Sequence, residues 1–225
     1  LRGITTIGIS KKGGAMKKLV LFGLAACVAM GLQTSFAAKE EAKGTALCLS
    51  ATFVAADSYE YCYLNFIEKE DEFSIPKGAF LEYDMFIPKT SAGFSGGVDL
   101  GGGSLGTLRD NGGEAGCKDQ DGNSPHPAGN AENAKGAWWH RKIDLGPIAG
   151  ESFMDAILAV DAGKDHKAGV YKAYYKNIQI TDGKGKVLID LFTNKDKVPI
   201  GDVTEHAVKD MSDYGLTVVP LSAVK

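Results

Sequence analysis

The residue pattern closest to catalysis is Glu82-Tyr83-Asp84, two carboxylates at alternate positions. Glycoside hydrolysis with retention needs two carboxyl groups about 5 Å apart. Jelly-roll enzymes supply them from one strand as E-x-D-x-E or E-x-D-x-x-E. Phe86 and Ile87 stand where the acid would be, so the proton donor is missing unless Asp99 or another strand provides it. No G-x-S-x-G elbow is present. Gly101-Gly102-Gly103-Ser104 lacks the Lys-Ser/Thr of a phosphate cradle, and no C-x-x-C or H-x-x-x-H offers zinc spacing. Asp119-Gln120-Asp121-Gly122-Asn123 places oxygen groups at alternating positions, as a calcium loop does. Gly122 is fourth and Asn130 twelfth, which excludes an EF-hand. Calcium held irregularly by Asp119, Asp121 and Asn123 is the alternative to a plain Asp-Gly turn.

The elements that must position these residues read as short β segments separated by Gly, Pro, Asn and Asp. They are Thr45 to Val54, Tyr59 to Glu68, Phe80 to Ile87, Gly97 to Leu100, Ala137 to Leu145, Phe153 to Val160, Gly169 to Ile180 and Val187 to Phe192. Such spacing predicts an all-β antiparallel sandwich. In the third segment Leu81, Tyr83, Met85 and Ile87 share one face, with Glu82 and Asp84 on the other. In the fifth, Trp139, Arg141, Ile143 and Leu145 oppose Trp138, His140, Lys142 and Asp144. Arg141 on an inner face requires a carboxylate or carbonyl partner. Residues 93 to 136 are Gly-rich and too long for a simple connection, so one strand and a large ordered loop at a site are expected there. Near the C-terminus, Val203 to Met211 is a short helix candidate and Leu216 to Pro220 a last strand.

The start of the chain predicts export. Met16-Lys17-Lys18 is a basic n-region, Leu19 to Leu32 an apolar run of 14 residues, and Gln33 to Ala37 a small-residue junction, which together read as a signal peptide over 16–37. The run falls short of the roughly 20 residues that span a bilayer. Residues 1–15 read as a start-site artefact and 38–44 as a leader, leaving 45–225 as a single domain. A lipobox, Leu24-Ala25-Ala26-Cys27, is the competing reading and would anchor the chain as an outer-membrane lipoprotein. Simple secretion takes precedence, because Val28 to Leu32 is more apolar than a tether after a lipidated cysteine.

Removal of residues 1–37 leaves 188 residues with 20 basic and 28 acidic side chains, a charge of −8. That acidity argues against nucleic acid or anionic membrane as partner. Cys48, Cys62 and Cys117 remain, an odd number. An oxidising compartment would permit one disulfide, and a hairpin could bring Cys48 and Cys62 together.

Phe80 to Pro88, Gly96-Gly97-Val98-Asp99-Leu100, Leu108-Arg109-Asp110, Asp121-Gly122, His126-Pro127, Trp138 to Leu145 and Ala173 to Ile178 together resemble jelly-roll domains of the carbohydrate-binding-module kind, galactose-binding-like or concanavalin A-like. The resemblance covers most of residues 45–192 and implies non-catalytic recognition of a polysaccharide or cell-surface glycan. It departs at Lys176, where such domains commonly carry an Asp that helps hold structural calcium. Sugar binding needs aromatic faces and planar polar groups. Trp138, Tyr171, Tyr174 and Tyr175 are candidates for stacking, and Glu82, Asp84, Asp99, Arg109, His126 and His140 for hydrogen bonds. The expected site is Trp138, His140, Arg109, Asp99, Glu82 and Tyr174, gathered on one face beside its Gly-rich loop. A structural or adhesive envelope protein is the second expectation, with subunits joined through the Gly-rich loop and a free thiol, and a glycan hydrolase or lyase the third.

Overall fold

In the computed structural model, residues 44–56, 58–128, 131–192 and 203–225 are described. The expectations for the start site, the signal peptide, the leader to residue 43 and lipidation at Cys27 lie outside them, as does Asn130.

Eleven strands run in order along the described chain: β1 (Thr45–Phe53), β2 (Tyr61–Ser74), β3 (Ala79–Phe86), β4 (Gly97–Gly102), β5 (Gly106–Thr107), β6 (Trp139–Asp144), β7 (Ser152–Asp161), β8 (Gly169–Asp182), β9 (Val187–Phe192), β10 (Thr204–Lys209) and β11 (Met211–Pro220). They form two antiparallel sheets. The first has the order β11-β1-β8-β3-β6, with β9 also on β8; the second has the order β10-β2-β7-β4-β5. The protein is therefore an all-β sandwich, compatible with a jelly roll, and residues 44–225 make one unit. Among the described residues, no helix is long and apolar enough to cross a membrane.

Period-2 alternation builds the core. Leu47, Leu49 and Phe53 of β1, Leu81, Tyr83 and Met85 of β3, and Tyr171, Ala173 and Tyr175 of β8 face Cys62, Leu64 and Phe66 of β2, Val98 and Leu100 of β4, and Leu158 and Val160 of β7. The alternation in β8 slips once. Asn177 adopts φ +52°, and beyond it Ile178 and Ile180 are the buried residues. One extra residue thus keeps both halves of a long strand facing the core.

The helix expected over Val203 to Met211 is instead β10 and the start of β11. Its backbone bonds along β2, with Val208 opposite Cys62 and Lys209 opposite Tyr61. Asp210 turns at φ +56° and sends the chain onto β1 in the other sheet. A nine-residue helix pays nucleation against few bonds, whereas two open sheet edges offer a full ladder to the same residues. Among the described residues the longest helical segment lies over 108–115, inside the Gly-rich stretch, and single 3-10 turns occur at Glu132–Ala134, Gly146–Ile148 and Leu221–Ala223.

The expected hairpin between Cys48 and Cys62 does not form, because β1 and β2 belong to different sheets. Cys48 packs on the outer side of the first sheet with Ala46 and Tyr174, while Cys62 lies in the core. Cys48, Cys62 and Cys117 are all free thiols and all buried, so none presents a sulfur for contacts between subunits.

Candidate functional site

The six expected site residues divide between the two opposite outer faces. Glu82, Trp138, His140 and Tyr174 lie on the first sheet. Asp99 and Arg109 lie with the second, since Asp99 on β4 stands opposite Ile157 of β7.

On the first sheet, His140 Nδ1 is 2.9 Å from Asp84 Oδ1 and its Nε2 is 3.5 Å from Glu82 Oε2. Lys142 Nζ approaches Glu82 Oε1 at 2.8 Å, Thr181 donates to the same oxygen at 2.7 Å, and Asn177 donates to Asp84 Oδ2 at 2.7 Å. Burial pushes the Glu82 carboxyl up, but the Thr181 and Lys142 bonds outweigh it and hold the group below its ordinary value. Both carboxylates are thus committed to neighbours. Trp138 is half-buried against Phe86, with ring centroids 5.7 Å apart, and Lys176 Nζ sits 4.4 Å over its ring. Tyr174 is buried beside them.

On the second sheet, the string Tyr59-Glu60-Tyr61-Cys62-Tyr63 sends three tyrosines to one side. Arg109 stacks 4.1 Å over Tyr63, Tyr63 stacks on Tyr61 with centroids 5.2 Å apart, and Tyr59 meets Tyr61 edge-on at 5.7 Å. The column emerges at Tyr59, which is 58% exposed. Asp99 Oδ1 accepts the backbone N–H of Leu100 and of Arg109, at 2.9 and 3.0 Å. Burial pushes its carboxyl up to about 7, against those bonds. Asp99 therefore anchors the helical turn that lays Arg109 on Tyr63. Beneath the column, Tyr63 Oη donates to Asp161 Oδ1, and Asp161 is fully buried.

Asp161 joins this column to a groove of about 490 Å³ at one end of the sandwich. Three loops line it. The β3–β4 loop contributes Phe94 and Ser95, the Gly-rich stretch Ser124, His126 and Glu132, and the β7–β8 loop Lys164, Asp165 and His166. Hydrogen bonds fix each loop. Ser95 Oγ donates to Asp161 O at 2.6 Å and Ser95 O accepts from Tyr171 Oη at 2.7 Å. Gly96 N–H reaches Pro127 O at 2.7 Å. The His166 ring is held between Gly163 O, 2.7 Å from Nδ1, and Ala55 O, 3.2 Å from Nε2.

Arg141 meets the requirement read from its strand. It is fully buried, and its guanidinium bonds Asp119 Oδ2 at 3.0 Å, Tyr83 Oη at 3.1 Å and Ser124 O at 2.7 Å. Asp119 Oδ1 accepts the backbone N–H of Asp121 and Asn123 at 3.0 and 2.8 Å. The 119–123 loop is thus closed around its own first carboxylate, and Asp121 points to Gln120 and Asn133 instead. Among the described residues, no group of three or more His, Cys, Asp or Glu is arranged to hold a metal ion.

Tyr171 and Tyr175, weighed as stacking residues, are fully buried. The groove residues His166, Glu132 and Asp165, and the connecting Asp161, were not legible as a site. They come from two separate loops and a strand end, with Asp165 and His166 side by side in one of those loops, and no local spacing links the three positions. Comparison of the sequence with protein-family models and with curated proteins finds no match.

Proposed function

We propose that this chain is a secreted or periplasmic, non-catalytic carbohydrate-binding protein, and that its glycan lies in the groove of His126, Glu132, Asp165 and His166. The observation that carries the reading is the groove itself. Its volume falls in the range of small-ligand sites, and its lining is rich in planar polar groups of mixed sign, with Lys164 and two imidazoles beside Glu132 and Asp165. Balanced charge of that kind suits an uncharged polyol better than a phosphate or a nucleic acid, which would call for a concentrated basic lining. The exposed ring of Tyr59 offers an apolar surface at the head of the tyrosine column. The engagement of Glu82 and Asp84 with Lys142, Thr181, Asn177 and His140 supports a binding rather than a hydrolytic role.

The test is retention on a panel of insoluble polysaccharides and a glycan array, using the purified protein and variants on both faces. Glu132→Ala and His166→Ala are expected to weaken retention about tenfold, and Trp138→Ala on the opposite sheet to leave it within about twofold. Loss with Trp138→Ala alone would move the site to the first sheet. Absence of retention on every polymer would reject carbohydrate binding.

A further inference from the structure

The ring of His166, in the groove wall, faces two backbone oxygens at once. Its Nδ1 lies 2.7 Å from Gly163 O of its own loop, and its Nε2 lies 3.2 Å from Ala55 O of the β1–β2 loop, both in hydrogen-bonding geometry. A carbonyl oxygen only accepts, so each contact needs a proton on the nitrogen. A neutral imidazole has one N–H and would turn a lone pair toward the other carbonyl, whereas an imidazolium satisfies both. An opposite charge stands beside it. The Glu60 carboxylate shapes the β1–β2 loop by accepting the Val54 and Ala55 N–H groups at 2.7 Å each, together with Ser58 Oγ. Burial raises that carboxyl, but the Ser58, Ala55 and Val54 bonds, with His166 beside them, hold it below its ordinary value. Of the other groups around the ring, Lys164, Asp165 and Lys167 belong to its own loop, and His126 and Glu132 line the same groove. Phe53 of β1, 5.1 Å from the ring, and Gly93 of the β3–β4 loop, against its Cβ, carry no charge.

We propose that His166 is a positioning residue that works as a proton-operated clasp: as an imidazolium it donates to Gly163 O and Ala55 O together and fastens the β1–β2 loop to the β7–β8 loop, and on losing one proton it releases Ala55 O. Gly163 O, the nearer acceptor, keeps the remaining N–H. The clasp is closed where the ring holds two protons and opens as pH rises across the imidazole range, so the loop attachment is present in mildly acid solution and lost above it. For binding, the inference rests on the glycan reading, because the clasped loop is the one that carries Lys164 and Asp165 into the groove. With both ring nitrogens spent on the backbone, His166 gives the ligand no hydrogen bond of its own, and recognition of glycan hydroxyls falls to Lys164, Asp165, Glu132 and His126.

His166→Asn places a donor where Nδ1 stands, is too short to reach Ala55 O and does not titrate. The test is ¹H–¹⁵N spectroscopy of the histidine rings in the ligand-free protein at about pH 5.5 and about pH 8, followed by retention of the parent and His166→Asn at both values on the polymer that binds best. The expected result is two His166 ring N–H signals at the lower pH, both slow to exchange with water, and an Nδ1–H signal alone at the higher. Parent retention should be about fivefold stronger at the lower pH, the worth of one hydrogen bond, with His166→Asn staying near the parent's higher-pH level throughout. Asp99 titrates in both proteins alike, so the difference between them isolates the clasp. A singly protonated ring at about pH 5.5, or a ring N–H that exchanges freely with water there, would overturn the proposal, as would His166→Asn losing as much retention with pH as the parent. The ring spectrum needs no ligand, so two protected N–H signals in a protein that retains no polymer would support the clasp while sinking the glycan reading.

Discussion

Arg141 Nε lies 3.0 Å from Asp119 Oδ2 with both side chains fully withdrawn from solvent. The same guanidinium carries Ser124 O into the groove wall through a 2.7 Å bond. One buried ion pair therefore fastens the Gly-rich stretch to the sandwich at both ends of the 119–124 loop. Taking a single partner away leaves a buried charge uncompensated, whereas replacing both leaves none.

Asp119→Ala is accordingly expected to cost about 3–5 kcal/mol in urea unfolding, and the double variant Asp119→Ala/Arg141→Met to recover most of that loss. Equal destabilisation in the single and double variants would contradict the role given to the pair.

Calcium is expected to have no effect on folding. Asp119 spends both carboxylate oxygens on Arg141, Asp121 and Asn123, which leaves the loop short of the six to eight oxygens that calcium takes. Thermal midpoints measured with chelator and with millimolar calcium should coincide, and a clear rise with calcium would restore the ion to this loop.

Stability should depend on pH through Asp99. Its folded carboxyl is pushed up to about 7 from 3.8, so between those values the folded chain keeps a proton that the unfolded chain releases. Stability falls as pH rises across that window, by on the order of 4 kcal/mol at most. Asp99→Asn preserves the acceptor for the Leu100 and Arg109 N–H groups and removes the ionisation. Urea midpoints compared near pH 4 and pH 8 should drop for the parent and stay level for this variant; matching slopes would show that Asp99 does not titrate in this way.

Gly96 is expected to resist substitution. Its φ is +123°, and a Cβ there would stand 2.5 Å from Tyr171 Oη and 3.0 Å from Tyr175 Oη. Tyr171 holds Ser95 O in the groove wall, so Gly96→Ala should destabilise by about 1–3 kcal/mol and also weaken polymer retention. A variant with parental stability would show that the β3–β4 loop has room the packing denies.

Much of the fold was legible locally. Alternation identified β3 and β6 and assigned their faces correctly, including the inward turn of Arg141 and its need for a partner, because side-chain direction on a strand follows from position alone. Val203 to Met211 was misread for the same reason in reverse. Its residues tolerate helix or strand, and the open edge of β2 decides between them by supplying a partner for each backbone group.

The candidate site was much less legible. Composition and spacing by themselves determined an all-β chain, which residues of β3 and β6 face inward, and the Gly-rich stretch as the place for a structured loop. Only the tertiary structure decided that Asp99 and Arg109 stand on the opposite face from Trp138 and His140, since that depends on which sheet each strand joins. It also decided that His126, Asp161 and Tyr63 meet. Tyr63 and Asp161 are 98 positions apart, and such contacts are set by strand pairing and long-range packing, which leave no periodic trace at any one of the three residues.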